Sequence, residues 1–127
     1  MRKYYALEES VLNTEAIYHT PQGAYAYTNG PDTMRVRLRT SARDHNIACF
    51  VHWNDRCSSP ACQVRTTPMT WLASDGTFTY WEAELYEPHR RLRYAFEIHD
   101  ENEELWYTED GISRTAKSAE WLSGYFN

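Results

Sequence analysis

The stretch 34–39 reads Met-Arg-Val-Arg-Leu-Arg, an unbroken alternation of apolar and arginine side chains. Because successive side chains of a β-strand point to opposite faces, the pattern places Met34, Val36 and Leu38 on one face and three arginines on the other. A strand with one buried and one wet face is typical of an antiparallel sheet. The more apolar segment 46–53 predicts a strand nearer the middle of a sheet.

Period-two alternation continues from about residue 15 to residue 107, and no long helical stripe interrupts it. Turn-forming residues separate the alternating segments, at Pro21-Gln22-Gly23, Asn29-Gly30-Pro31, Ser74-Asp75-Gly76 and Glu87-Pro88. Many short strands with regular turns predict an all-β sandwich of two antiparallel sheets. We expect residues 1–13 to form an N-terminal extension and 14–127 a single domain, with one helical turn around 115–122.

Two hairpins can be aligned by hand. The first joins 77–86 to 90–99 around the Glu87-Pro88 turn, because opposite charges then meet on one face and apolar side chains on the other. Its register pairs Glu84 with Arg91, Glu82 with Arg93, Ala83 with Leu92 and Trp81 with Tyr94. The second hairpin turns at Glu101-Asn102 and pairs Ile98 with Leu105 and Phe96 with Tyr107.

Composition limits the class of protein. The chain has 127 residues and a formal charge of -5, which argues against a nucleic-acid binder, since such binders use a basic field. No stretch has the roughly 20 apolar residues of a membrane span. The first residues lack the apolar run of a secretory signal, so we expect a cytoplasmic protein. Three cysteines, an odd number, argue against a disulfide framework.

The sequence predicts no catalytic residues, no metal site and no cofactor. It contains no Gly-rich phosphate loop, nucleophile elbow or Cys-x-x-Cys pair. The five histidines are scattered without metal-ligand spacing. Cys57 and Cys62 bracket a short loop, which could close into a disulfide, bind a metal with help from another ligand, or hold two free thiols.

Aromatic residues are the candidates for binding. They make up 15% of the chain, more than a core of this size requires, so some rings should be exposed. The hand-drawn register places Phe78, Tyr80 and Trp106 together on the face opposite the core. They form either a sugar platform or a surface that another domain or subunit covers. The second group combines Tyr25 and Tyr27, which share a strand face, with Trp53 and Trp71 available from other strands.

Several blocks together resemble the opening of neopullulanases, cyclomaltodextrinases and maltogenic amylases. They cover most of residues 14–113 and are, in order, 15–19 (Glu-Ala-Ile-Tyr-His), 24–27 (Ala-Tyr-Ala-Tyr), 34–39, 74–84, 90–97 (Arg-Arg-Leu-Arg-Tyr-Ala-Phe-Glu) and 107–111 (Tyr-Thr-Glu-Asp-Gly). The resemblance implies an immunoglobulin-like β-sandwich, a carbohydrate-binding module of family 34. In such enzymes the module precedes a (β/α)8 barrel of glycoside hydrolase family 13.

The resemblance also implies partners. They are α-glucan oligosaccharides or cyclodextrins, the catalytic barrel of the parent enzyme, and a second copy in a homodimer. The family's catalytic carboxylates lie on the barrel, so none is transferred to this chain, which we expect to be an excised domain. One position departs from the family pattern: Cys57 stands where a tyrosine often reaches the partner's substrate, and nearby Trp53 could substitute for it. A structural and dimerisation module that binds no free sugar is the alternative.

Overall fold

The computed structural model describes residues 12–28, 30, 33–55, 64–86 and 92–113. Within them the chain forms nine strands, which are β1 Ala26–Thr28, β2 Thr33–Ser41, β3 Ala48–Asp55, β4 Arg65–Pro68, β5 Thr70–Ser74, β6 Phe78–Tyr86, β7 Leu92–His99, β8 Glu104–Thr108 and β9 Gly111–Ser113. Two short 3-10 turns, Thr14–Ala16 and Gly23–Tyr25, precede β1. The Glu87-Pro88 turn, the Cys57–Cys62 loop and the helical turn around 115–122 lie outside the described residues.

The strands form two antiparallel sheets. The first sheet has the order β1-β2-β6-β5 and the second the order β4-β3-β7-β8-β9. An immunoglobulin-like sandwich has this arrangement: when its strands are lettered A to G along the chain, strands A, B, E and D form one sheet and the others face it. The prediction of an all-β, immunoglobulin-like sandwich of two antiparallel sheets is therefore confirmed. β3 lies between β4 and β7, as its apolar sequence predicted.

The core lies between the two sheets. The alternation on β2 buries Val36 and Leu38 and leaves the three arginines on the outer face. The second sheet contributes its own inward residues, and the fully buried ones include Val51, Phe96, Ile98 and Leu105. Met69 is also buried, and its N–H donates to the carbonyl of Cys49 at 2.8 Å where the chain passes from β4 to β5.

The predicted hairpin between 77–86 and 90–99 is wrong. β6 pairs with β2 and β5 in the first sheet, whereas β7 pairs with β3 and β8 in the second. Trp81 and Tyr94 therefore face the interior from different sheets. Ala83 and Glu84 pair with Val36 and Arg35 of β2, and Arg93 pairs with Asn54 of β3, while Arg91 lies outside the described residues. The glutamates of β6 lie opposite the arginines of β2 instead, which satisfies the same charge argument.

The second predicted hairpin is confirmed. β7 and β8 pair with Ile98 opposite Leu105 and Phe96 opposite Tyr107. In the turn, the carboxylate of Asp100 accepts hydrogen bonds from the N–H groups of Asn102 and Glu103, both at 2.8 Å. This side-chain cap on a short polar loop explains why local sequence was sufficient to set the register.

Candidate functional site

The outer face of the first sheet carries a cluster of aromatic rings and arginines. We call it the tyrosine–arginine face, and it consists of Tyr18, Tyr25, Tyr27, Arg35, Arg37, Arg39, Phe78 and Tyr80. The antiparallel register of β2 and β6 creates it, because Arg39 lies opposite Tyr80, and Arg37 opposite Glu82. Side chains of paired residues lie on the same side of a sheet and contact each other.

Arg39 organises one end of this face. Its guanidinium lies over the ring of Phe78, with 4.0 Å between the guanidinium carbon and the ring centroid, and 5.1 Å from the ring of Tyr18. Its Nε–H also donates to the carbonyl of Ala16 at 2.9 Å. A cation over two aromatic faces is held by their negative quadrupoles, so Arg39 fixes the chain before β1 against the sheet.

The other end of the face is an ion-pair network. The Glu82 carboxylate bridges Arg35 Nη1 and Arg37 Nε, both at 2.8 Å, and Arg35 Nη2 lies 3.0 Å from Glu84. Arg37 also donates to the hydroxyl of Tyr27 at 2.9 Å and lies over its ring. A carboxylate that joins two arginines gives these side chains a fixed geometry, which single exposed pairs lack.

Tyr25 packs within the same cluster. Its ring meets Tyr18 edge-on with centroids 5.2 Å apart. Partial burial raises the pKa of Tyr25, and the neighbouring hydroxyl of Tyr80 contributes to the increase. Tyr25 is thus a neutral hydrogen-bonding phenol over the whole physiological range.

A groove of about 370 Å³ lies beside Phe78 at the end of the face. Its lining is polar apart from that ring and a few small residues, and consists of Asn13, Glu15, Ala16, Ser41, Arg43, Gly76, Thr77 and Phe78. The loop that forms one wall is capped by Asp75, whose carboxylate accepts from the N–H groups of Thr77 and Phe78 at 2.9 and 2.8 Å. One aromatic ring amid hydroxyl, amide and charged groups can bind a small polar ligand.

Four of the rings predicted from sequence lie on this face, namely Tyr25, Tyr27, Phe78 and Tyr80. Trp53 does not, because it is 5% exposed and belongs to the core. Its Nε1–H donates to Thr67 at 2.9 Å, and the guanidinium of Arg65 lies 5.2 Å from its ring centroid. The expectation that Trp53 offers an open ring in place of the missing tyrosine is therefore wrong, while Cys57 lies outside the described residues.

Trp106 is on the outer face of the second sheet, so the predicted platform of Phe78, Tyr80 and Trp106 does not form. The error follows from the incorrect β6–β7 hairpin. Trp106 is 6% exposed, stacks on His52 with centroids 4.6 Å apart, and donates to Glu104 at 2.9 Å. Its ring is packed within its own sheet face.

Trp71 has an exposure that the sequence did not predict. Its side chain is 61% exposed, whereas Trp53 and Trp106 are buried. The run Thr70–Ser74 is short and has no charged residue, so nothing within it marks the Trp71 ring as exposed. Such a strand at the edge of a sheet leaves both of its sides accessible.

The titratable groups that are most deeply buried serve the fold. Burial lowers the pKa of His19 from 6.5 to about 4, and burial raises the pKa of the Cys49 thiol far above its ordinary value, which makes it a poor nucleophile. Within the described residues no three histidine, cysteine or acidic side chains are placed to hold a metal ion. In the same part of the chain no helix has the length and apolarity to span a bilayer. Among the described residues of the tyrosine–arginine face, the groups available to contact a ligand or a partner are aromatic rings and charged side chains.

The order of the strands in the two sheets is that of an immunoglobulin-like domain. A family model described as "Alpha amylase, N-terminal ig-like domain" matches residues 12–127. The chain belongs to this family of α-amylase N-terminal immunoglobulin-like domains.

The similar proteins carry the names of the enzymes that the sequence resembles. A cyclomaltodextrinase of Geobacillus thermopakistaniensis (strain MAS1) is 38% identical over 112 residues, which cover 84% of this chain and 18% of that protein. An intracellular maltogenic amylase of Bacillus subtilis (strain 168) is 30% identical over 114 residues, covering 87% of this chain and 19% of that protein. A solved cyclomaltodextrinase structure matches with a TM-score of 0.74 and 29% identity, over 88% of this chain and 18% of that one. The chain thus spans about a fifth of the length of these relatives.

Proposed function

We propose that this domain is a non-catalytic α-glucan-binding module of an α-amylase-family hydrolase that cleaves α-1,4 and α-1,6 glucosidic bonds. Membership of the α-amylase N-terminal family and relatives named cyclomaltodextrinase and maltogenic amylase support this assignment. In this proposal the chemistry belongs to the (β/α)8 barrel that the resemblance implies for the parent enzyme. The chain corresponds to 18% of the length of the cyclomaltodextrinase relative, which leaves room for such a domain. Its ligands are starch-derived oligosaccharides and cyclodextrins.

The observation that carries the proposal is the groove beside Phe78. Glucose presents C–H patches that pack on an aromatic ring, while its hydroxyls need donors and acceptors around the rim. The groove of about 370 Å³ combines the Phe78 ring with hydroxyl groups of Ser41 and Thr77 and the carboxylate of Glu15. Arg39 is not part of its lining, so this arginine can support Phe78 while the groove stays open.

Titration calorimetry of the 127-residue chain with β-cyclodextrin and with maltoheptaose tests the proposal. Phe78→Leu keeps an apolar side chain on β6 but removes the flat ring, and we expect it to weaken binding about tenfold. Trp106→Phe on the other sheet is the control and should leave the affinity unchanged. Absence of heat at millimolar sugar with the wild-type chain would refute independent α-glucan binding.

The second candidate is a structural and dimerisation module that shapes the active site of a partner subunit. It is favoured by the arginines over Phe78, Tyr18 and Tyr27, because they already occupy ring faces that a sugar would use. A flat surface of rings and ion pairs suits a protein interface. Sedimentation velocity of the parent enzyme with Tyr18→Glu distinguishes this role: dissociation of a dimer supports it, and an unchanged oligomer argues against it.

A cytoplasmic location completes the proposal. The relative from Bacillus subtilis is named an intracellular enzyme, which supports it. An enzyme in that compartment would meet short glucans and cyclodextrins after uptake, rather than starch granules. Cell fractionation with an antibody against the parent enzyme is the direct measurement.

A further inference from the structure

The outer face of the second sheet is buried where a two-layer sandwich would leave it open to solvent. Successive side chains of a strand point to opposite sides of the sheet, and the register fixes which of them share the outer side. Four outward side chains are almost completely excluded from solvent, namely Ala95 (0%), Thr108 (1%), Asn54 (4%) and Trp106 (6%). The first sheet lies against the opposite side, so it does not cover them.

The described neighbours of Trp106 account for one side of its ring. His52 stacks on the indole with ring centroids 4.6 Å apart, and Glu104 accepts from its Nε1–H at 2.9 Å. The partners of Trp106 across the ladder are Glu97, whose carboxylate lies 2.8 Å from His52, and Ser113 on β9. A serine is too small to cover the second face of an indole. A tryptophan this deeply buried therefore needs a further apolar contact on that face.

The chain leaves the sandwich beside this ring. β9 is the edge strand of the second sheet, and its last residue, Ser113, lies opposite Trp106 on the same face. The segment 114–127 follows it and lies outside the described residues. An extended segment of this length reaches roughly 45 Å, whereas crossing from one edge strand to the other takes about 19 Å. The segment is thus long enough to cover any strand of the sheet.

The composition of the segment 114–127 supplies the apolar surface that Trp106 needs. Within its second half the sequence has four large apolar or aromatic side chains, which are Trp121, Leu122, Tyr125 and Phe126. Large rings and branched chains bury the most apolar area per residue, so they suit the uncovered side of an indole.

The charges of the segment complement those of the face. Its basic side chains, Arg114 and Lys117, come directly after β9. β9 runs antiparallel to β8, so the chain that leaves Ser113 is directed towards Glu104, an exposed carboxylate on the same face. Opposite charges at the rim of a contact orient it, and the apolar residues that follow can then pack on the ring.

The other segments outside the described residues fit the ring poorly. Residues 56–63 and 87–91 adjoin the face at the ends of β3 and β7, but neither contains Leu, Ile, Met, Phe, Tyr or Trp. Residues 1–11 lead to Leu12, whose N–H donates to Glu103 in the turn before β8. The face opens to solvent towards that turn, since the His99 side chain is 36% exposed.

We propose that residues 114–127 fold back over the outer face of the second sheet and pack their apolar side chains on the Trp106 indole. The face is then an intramolecular docking surface, and the contact fixes the direction in which the chain leaves the sandwich. It is closed to a sugar or another subunit, in contrast to the tyrosine–arginine face. The inference does not depend on α-glucan binding.

Nuclear magnetic resonance of the isotopically labelled 127-residue chain tests the contact. Trp106→Phe assigns the indole signal, which should show nuclear Overhauser effects to side chains of the segment 114–127. In the double variant Trp121→Ala/Leu122→Ala we expect the ring signals of Trp106 and His52 to shift. Amide hydrogen exchange along β8 and β9 should become about tenfold faster in this variant, because the cover no longer opposes local opening.

Trp71 is the internal control, because its ring is 61% exposed on the first sheet and its indole signal should not move. An unchanged Trp106 signal in the double variant would overturn the proposal. Overhauser effects from Trp106 to 1–11, 56–63 or 87–91 would overturn it as well and would identify the true cover. If the double variant does not fold, the pattern of effects in the wild-type chain decides between these outcomes.

Discussion

The Nε2 atom of His19 accepts a hydrogen bond from the hydroxyl of Tyr94 at 2.7 Å, and this contact joins the chain before β1 to the second sheet. The other ring nitrogen lies 2.7 Å from the carbonyl oxygen of Arg37 on β2. A carbonyl can only accept, so Nδ1 carries the proton of the neutral ring. His19 is 3% exposed, and in this uncharged tautomer it connects both sheets.

The first prediction is a loss of stability in mild acid. Burial lowers the pKa of His19 from 6.5 to about 4, so the unfolded chain binds a proton in this window while the folded chain does not. The free energy of unfolding should therefore fall as the pH drops from about 6.5 towards 4, by up to about 3 kcal/mol. Urea denaturation across this range measures it.

A His19→Gln variant is the control for this titration. Glutamine keeps a polar side chain but has no proton to gain, so its stability should vary less with pH between 6.5 and 4. It should be less stable than the wild-type chain at pH 7, because the Tyr94 hydroxyl loses a well-placed acceptor. An equal pH dependence in both proteins would assign the acid sensitivity to other groups.

The second prediction concerns Trp53, which the sequence placed among the sugar-binding candidates and the structure places in the core. Trp53→Ala should lower the free energy of unfolding by about 3–5 kcal/mol because it leaves a large cavity. Trp53→Phe should cost less, mainly the hydrogen bond to Thr67, about 1 kcal/mol. Chemical denaturation gives both values, and β-cyclodextrin affinity of the folded Trp53→Phe protein should be unchanged. A selective loss of affinity would return Trp53 to the binding site.

Local patterns predicted much of the fold. The alternation of β2 and the hairpin at Glu101-Asn102 depend on neighbouring residues, and both are confirmed. The pairing of β6 depends on distant residues and was wrong. Its two glutamates, Glu82 and Glu84, match arginines before and after them in the chain, so charge alone does not choose between the partners.

The candidate site was predicted only in part, because it also depends on which strands pair with one another. The alternation of side chains along a strand assigns each of them to the inner or outer side of its own sheet. It does not say to which of the two sheets the strand belongs. Phe78 and Tyr80 were therefore placed outward correctly, while Trp106 was assigned to the wrong surface. The exposure of Trp71 depends on β5 being an edge strand, a property of the whole sheet that the run Thr70–Ser74 does not encode.

The third prediction tests the ion-pair network of β2 and β6. The Glu82 side chain is 12% exposed, and its carboxylate contacts two arginines at 2.8 Å. Glu82→Gln should destabilise the chain by about 1–2 kcal/mol, more than an ordinary surface pair, and the difference should shrink in 1 M salt. Glu84→Gln is the comparison, since the Glu84 side chain is 28% exposed and its carboxylate lies 3.0 Å from Arg35. Equal effects of the two variants in urea denaturation would contradict a special role for Glu82.

The fourth prediction concerns Arg39, which joins Phe78, Tyr18 and the carbonyl of Ala16. Arg39→Met keeps the apolar stem but removes the cation and the Nε–H donor, so the unfolding free energy should fall by about 1–2 kcal/mol. Arg39→Lys should recover part of this loss, because an ammonium keeps the charge without the planar stacking. Amide hydrogen exchange should show faster exchange at Tyr18, whose N–H donates to the Arg39 carbonyl at 3.1 Å. If protection at Tyr18 and overall stability are both unchanged in Arg39→Met, the stacked guanidinium does not fix this segment to the sheet.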